Sequence, residues 1–261
     1  MKKMKSRWVV KAGSNMICAG GPMLIRAWMS QVAQLRREHD IEVIWVSSGA
    51  IASATDRTQF KKTKRTLSEK QALSAIGQPI VMDLYNMAIQ AQGLLGAQVL
   101  LTYADLARAH QKKNLQNTIE QLLAWQVTPV LNENDAVATE EIRFGDNDSL
   151  SARIAKVMKA DRLVILTDVN GLYDSDPRKN KKAALVDSVE KITPALLRTA
   201  GGSGSSRGTG GMFSKLSAAK LASEAGIQTH LVKGDENQVL LRIASGESVG
   251  TRIGKTKKVC T

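Results

Sequence analysis

Cysteine, histidine and aromatic side chains are all scarce in this sequence. Only Cys18 and Cys260 occur among 261 residues, near opposite ends. Two isolated thiols provide neither a disulfide framework nor metal-ligand spacing, so a reduced compartment is expected. The three histidines, His39, His110 and His230, fall in unrelated segments. That leaves no credible Ser-His-Asp arrangement and little basis for histidine-based metal binding or base catalysis. Aromatics are 4% of the chain, so its core must be built from Ala, Val, Ile, Leu and Met, as in helix-covered parallel sheets. No apolar run is long enough to span a bilayer. The start, MKKMKSRWVVKAG, lacks the apolar stretch of a signal peptide. A cytoplasmic protein with no membrane partner is the expectation.

What is abundant is positive charge, a formal net +13. Such a balance favours anionic partners without choosing among nucleic acid, acidic membrane and phosphorylated small molecules. The basic runs at Lys2–Arg7, Lys61–Arg65, Lys179–Lys182 and Lys255–Lys258 are not interleaved with aromatics, which gives base stacking little to work with. No nucleic-acid partner is expected.

Apolar periodicity alternates between short buried strands and longer helical stretches. WVVK, IEVIWV, GAQVLLT, VTPVL, RLVILT and IQTHLV read as strands, with a further short strand near VGTRIG. Helical spacing covers Pro22–Glu38, Ser68–Gln92, Asn114–Trp125 and the segment FSKLSAAKLASEAG. TQFKKTKRTLSEK reads as an exposed loop. The alternation predicts an α/β fold, a three-layer αβα sandwich around one mostly parallel sheet, in a single domain over residues 1–261. Polar clusters recur just past the strand ends, at Lys11–Ser14, Ser47–Gly49, Asn132–Asp135 and Thr167–Asp168. In open α/β sheets that edge carries the ligand site.

Four constellations there can carry chemistry. The loop RGTGGMFSK, Arg207–Lys215, is either a phosphate cradle with a lysine or a flexible loop capped by a helix. It has neither the Walker A pattern nor the G-x-G-x-x-G spacing, and the tail piece GTRIGKT is one residue short of Walker A. Lys11 ends a buried strand, where an ammonium is costly unless it reaches an anion or snorkels out. Ser47, Ser48 and Gly49 suit an anion site or an ordinary helix cap. NENDAV and FGDNDSL bring Asn132, Asn134, Asp135, Asn147 and Asp148 to the same edge. These could bind an ammonium, orient lysines, hold Mg²⁺ through water, or simply form turns and caps. The crowding of Asp146, Asn147 and Asp148 at one helix start exceeds what capping needs.

The ordered set VVKAGS, VSSGAIA, QALSAIGQ, LLTYADL, PVLNENDAV, FGDNDSLSA, LTDVNGLYDSDPR and GTGGMFSKLSAA resembles the glutamate 5-kinase (γ-glutamyl kinase) family of the amino acid kinase superfamily. The likeness runs from about Trp8 to Gly250. It implies the amino acid kinase fold and ATP-dependent phosphorylation of the L-glutamate γ-carboxylate, the opening reaction of proline synthesis, with ATP and Mg²⁺ as cofactors. By the same resemblance Lys11 and Lys215 would stabilise the phosphoryl group and Asp148 would organise them. Ser48, Gly49, Asn134, Asp135 and Asn147 would bind glutamate. Lys11, Gly13, Ser14, Thr167, Asp168, Thr209, Gly210, Gly211, Met212 and Lys215 would contact ATP, with no dedicated metal ligands. A homo-oligomer, dimer or tetramer, and functional coupling to the next enzyme of proline synthesis are also implied.

The sequence departs from the family in three places. It is too short for the C-terminal PUA domain many members carry, so no RNA binding by that route is expected. SATDRTQFKKTKRT lacks an expected glycine where the feedback loop would lie, so proline inhibition is not carried over. Asn15 replaces a usual Ser or Thr. The competing readings are a sibling kinase acting on aspartate, N-acetylglutamate, carbamate or a nucleoside monophosphate, a nucleic-acid-binding protein, and a silent regulator.

Overall fold

The computed structural model describes residues 6–58, 60, 64–138, 147–177, 180–201 and 211–255. Eight strands form one sheet: β1 (Ser6–Ala12), β2 (Ile41–Val46), β3 (Gly96–Leu101), β4 (Thr128–Glu133), β5 (Arg162–Thr167), β6 (Ser188–Val189), β7 (Gln228–Lys233) and β8 (Thr251–Ile253). Their order is β3-β4-β2-β1-β5-β7-β8-β6, and only the β7–β8 pair is antiparallel. Parallel neighbours need crossovers, and helices supply most of them. They are α1 (Ser14–His39), α2 (Ala50–Arg57), α3 (Leu67–Gln90), α4 (Tyr103–Ala107), α5 (Ala109–Ala124), α6 (Asn147–Val157), α7 (Pro194–Gly201), α8 (Met212–Glu224) and α9 (Val239–Ala244).

Alternation along the strands divides the core in two. Trp8 and Val10 of β1, Val43 and Trp45 of β2 and Val130 of β4 pack under α1, α3 and α9. Val9, Ile44, Leu131 and Ile165 face the other way, toward α5, α6 and α8. Successive side chains of a strand point to opposite faces, so Lys11 shares the face of Val9, whereas Asn132 shares the face of Val130. The three-layer expectation therefore holds. Three aromatics cluster under α1, with ring centroids 5.6 Å apart for Trp28–Trp45 and 5.9 Å for Trp45–Tyr85.

Several boundaries differ from the periodicity reading. Helix α1 starts at Ser14, eight residues before the expected Pro22. Gly21 interrupts it with φ 53° and ψ −154°, and Pro22 opens the second part. Proline suits a first turn, where its missing N–H costs no helical bond. Helix α3 begins inside the expected loop, at Leu67, because Thr66 and Glu69 close a capping box. Helix α5 starts at Ala109 rather than Asn114, since its opening turn, AHQKK, is polar and carries no apolar stripe. The short elements α4, α7, α9 and β6 were not legible, being too brief to show a period.

Helices α2 and α3 approach very closely. A Cβ added to Gly77 of α3 would fall 1.8 Å from the Ala50 carbonyl oxygen of α2. Only glycine permits that contact, and it seats the helix that follows Ser48 and Gly49.

Candidate active site

Three charged groups meet beyond the C-terminal ends of β1 and β5. Lys11 lies near the end of β1, Asp148 in the first turn of α6 and Lys215 in the first turn of α8. Their exposures are 3%, 0% and 6%. Lys11 Nζ stands 2.5 Å from Asp148 Oδ1, and Lys215 Nζ stands 3.2 Å from Asp148 Oδ2. The Ser214 hydroxyl lies 2.9 Å from Asp148 Oδ2 and 2.7 Å from the Gly211 carbonyl, so its proton has two acceptors within reach. Burial pushes the Asp148 carboxyl up. Lys11 and Lys215, with hydrogen bonds from Lys11 and Ser214, overcome this and hold it below the ordinary carboxylate range. Asp148 is therefore ionised at neutral pH.

The fold explains the convergence. β1 pairs on both sides, with β2 and β5, so Lys11 is held in a rigid ladder. Helices α6 and α8 contact each other. Both bury small side chains in the same core, Ala152 and Ala155 from one and Ala218, Ala219 and Ala222 from the other. Small residues let the helices approach until their first turns meet. A carboxylate in a first turn also faces the positive end of its helix.

Next to the charges is a set of amides. Asn147 Nδ2 lies 2.6 Å from the Ser47 carbonyl, 2.6 Å from Asn132 Oδ1 and 3.0 Å from Ser48 Oγ. One end of Asn147 thus bridges α6 to the Ser47–Gly49 turn and to β4. Gly49 adopts φ 90° there, in the left-handed region that favours glycine. Its hypothetical Cβ would contact Ile17 and the Ser14 Cα at 3.6 to 3.7 Å, so this turn rests against the start of α1. At the Gly13 turn, a Cβ would lie 3.7 Å from Lys11 Nζ, which places the ammonium beside bare backbone.

The remaining expected residues sort as follows. Gly13, Ser14, Ser48, Gly49, Asn147, Asp148, Lys11 and Lys215 lie together around this edge. Thr167 ends β5, one residue past Leu166, the ladder partner of Ala12 of β1, and its hydroxyl donates to Asp168 Oδ1 at 3.1 Å. Asn134 and Asp135 follow β4 and are half-buried, with the Asn134 N–H bonded to the Leu101 carbonyl at 2.9 Å. Gly211 and Met212 open α8. Thr209 and Gly210, like Asp146, lie outside the described residues. Ser214 and Gln78 are participants that the residue patterns did not single out. Ser214 was signalled only by its adjacency to Lys215.

A buried acid flanked by two ammoniums, a glycine turn and a row of amides can align an anionic acceptor with a polyphosphate. Among the described residues, no group of three or more His, Cys, Asp or Glu is placed to hold a metal. No helix of the described residues is long and apolar enough to cross a membrane.

Comparison with known proteins points the same way. Residues 6–233 match the model of the amino acid kinase family. Glutamate 5-kinase from Bordetella petrii is 44% identical over 252 residues, covering 95% of this chain and 66% of that protein. The glutamate 5-kinase of Burkholderia thailandensis is 44% identical, with coverages of 95% and 67%. That of Herpetosiphon aurantiacus is 45% identical, with coverages of 96% and 69%. The chain spans about two thirds of the length of these relatives. Among solved structures, an aspartate kinase from Synechocystis matches 98% of this chain and 41% of its own, at TM-score 0.64 and 17% identity. At that identity the likeness concerns the fold.

Proposed function

Because the chain belongs to the amino acid kinase family and, within it, to the glutamate 5-kinases, we propose that it transfers the γ-phosphoryl group of ATP to the γ-carboxylate of L-glutamate. The product is L-glutamyl 5-phosphate, and the reaction opens proline synthesis. The observation that carries this reading is the pair of buried lysines joined through Asp148, beside the amide set around Asn147.

The nucleophile is a carboxylate with a reference pKa of about 4.3, ionised at neutral pH. No general base is required, which suits a site built without histidine. The obstacle is electrostatic. Two unit charges ~4 Å apart repel by roughly 4 kcal/mol at an effective dielectric near 20, and a triphosphate carries more than one. Lys11 and Lys215 flank the migrating group and offset that repulsion. Asp148 holds the two ammoniums close together, which their own repulsion opposes. Phosphoryl transfer depends chiefly on such alignment and electrostatic stabilisation. Ser48, Gly49, Asn134, Asp135 and Asn147 take the glutamate. Gly13, Ser14, Thr167, Asp168 and the Thr209–Lys215 segment take the nucleotide. Mg²⁺ would enter with the nucleotide, as part of the MgATP substrate, and would offset phosphate charge there.

The product is an acyl phosphate, a reactive anhydride, which supports rapid hand-off to the next enzyme. We also assign the reaction to the cytoplasm, a homo-oligomeric state to the enzyme, and one amino acid kinase domain to the whole chain. Incubation of the purified protein with ATP, Mg²⁺, L-glutamate and hydroxylamine tests the activity. We expect γ-glutamyl hydroxamate to accumulate in step with ADP. Turnover of a different acid, with none of glutamate, would overturn the substrate assignment.

A further inference from the structure

The Asn147 amide is held by a second layer of hydrogen bonds. Asn132 Oδ1 accepts Asn147 Nδ2 at 2.6 Å and the Glu133 main-chain N–H at 3.0 Å. A main-chain N–H can only donate, so it fixes the carbonyl end of Asn132. The NH₂ end must then point the other way, and there it donates to Gln78 Oε1 at 2.6 Å. Gln78 is 8% exposed and lies on the buried side of α3. That helix covers the face of the sheet opposite to α6. Three amides thus connect α3 to α6 around the end of β4, each with its polarity set by its neighbour.

We propose that Gln78 is a positioning residue for the acceptor side of the site. It acts through Asn132 on the orientation of Asn147, and it rests on the reading of Asn147 as an acceptor-binding residue. Replacing Gln78 by an apolar side chain leaves the Asn132 NH₂ buried without this acceptor. Such a group is driven to rotate or to recruit water. Either response loosens the oxygen against which Asn147 is braced. The bonds around Asp148 involve Lys11, Lys215 and Ser214, none of which belongs to the relay. The nucleotide side should therefore be spared.

The test is steady-state kinetics on Gln78→Met, which keeps the volume and removes the acceptor, and on Gln78→Glu, which keeps an accepting oxygen. For Gln78→Met, KM for glutamate should rise about tenfold or more. KM for ATP should stay within about twofold and kcat should fall by no more than about threefold. Gln78→Glu should lie closer to the wild type. A folded Gln78→Met protein with unchanged KM for glutamate overturns the proposal. So does an equal rise in both KM values, which a general defect in α3 would produce. If Gln78→Met does not fold, Asn132→Asp removes the same donor and keeps Oδ1, and it must reproduce the acceptor-selective effect. The wild type is assayed first. If it turns over a different acid, the substrate reading fails by itself and the KM split is measured with that acid.

Discussion

The two ends of β1 carry charge in opposite proportions. At the start of the strand, Arg7 donates to Glu42 at 3.0 Å and to Glu120 at 2.7 and 2.8 Å. It also reaches the Met158 carbonyl at 3.0 Å. Here one cation serves two carboxylates. Four residues later on the same face, Lys11 shares one carboxylate with Lys215. The Arg7 cluster ties β1, β2 and α5 together, and its planar fork suits bidentate pairing. The Lys11 cluster has a different make-up: among the described residues, two ammoniums stand against one acid. That arrangement suits a ligand that is itself an anion. One strand therefore shows a charge cluster that closes the fold and another that suits the proposed chemistry.

Mutations at the two ends should separate these roles. Lys215→Ala is expected to lower kcat by at least ~10², the scale of a single electrostatic contribution to a transition state. Near-normal turnover would remove Lys215 from the mechanism. Asp148→Asn should reduce kcat more than it raises KM for glutamate, because the lysines lose the group that holds them together. A change confined to KM would contradict that role. Gly77→Ala comes next. Its Cβ cannot coexist with the Ala50 carbonyl, so α2 must shift, at a cost of about 1–3 kcal/mol or more. Chemical denaturation should show the loss, with a raised KM for glutamate because α2 follows the Ser48–Gly49 turn. Arg7→Met should reverse the pattern, losing roughly 1–2 kcal/mol of stability while kcat stays within about threefold. A large loss of kcat in folded Arg7→Met would erase the distinction between the two ends.

The last effect is a pH dependence of stability. His230 is 6% exposed on β7. Burial, then the charges of Arg162 and Arg252, push its imidazole down to about 3. An unfolded histidine titrates near 6.5. As pH falls below that value, the unfolded chain binds a proton that the folded chain refuses. Stability therefore declines between pH 6.5 and about 3, and is intact above 6.5. Asp148 acts in the same direction at lower pH: against the upward push of burial, Lys11 and Lys215 hold its carboxyl below the ordinary range. The stability this contributes is full above the unfolded carboxylate range and is lost progressively as pH falls from there through the folded value. Denaturation at pH 7 and pH 5 should show a shallower decline for His230→Gln than for the wild type. An equal decline in both would exclude His230 as a source.

The ends of β1 also show what sequence can and cannot reveal. Lys11 was conspicuous because a lysine closing the run WVV has few ways to be stable. The polar clusters after β1, β2, β4 and β5 located the site edge, because strand period and turn residues are local signals. The partnership of Lys11 with Lys215 became expected only through resemblance to a family, since 204 residues separate them. Gln78 entered only as the last residue of the family-like stretch QALSAIGQ, with no role attached to it. A buried glutamine on a helix is recognisable only when its partner on another layer is known. Strand order and the single antiparallel pair were likewise illegible, because both depend on which strands become neighbours rather than on any one segment.

Alanine is what α6 and α8 both bury in the core they share. It has no rotamer to change and almost nothing to trim, so where α6 and α8 meet, their separation is governed by main chain rather than by adaptable side chains. The carboxylate and the ammonium therefore inherit the stiffness of two helical rods. Added bulk at Ala152 or Ala219 would act as a shim, widening the gap between Asp148 and Lys215 while leaving every charged residue in the sequence untouched.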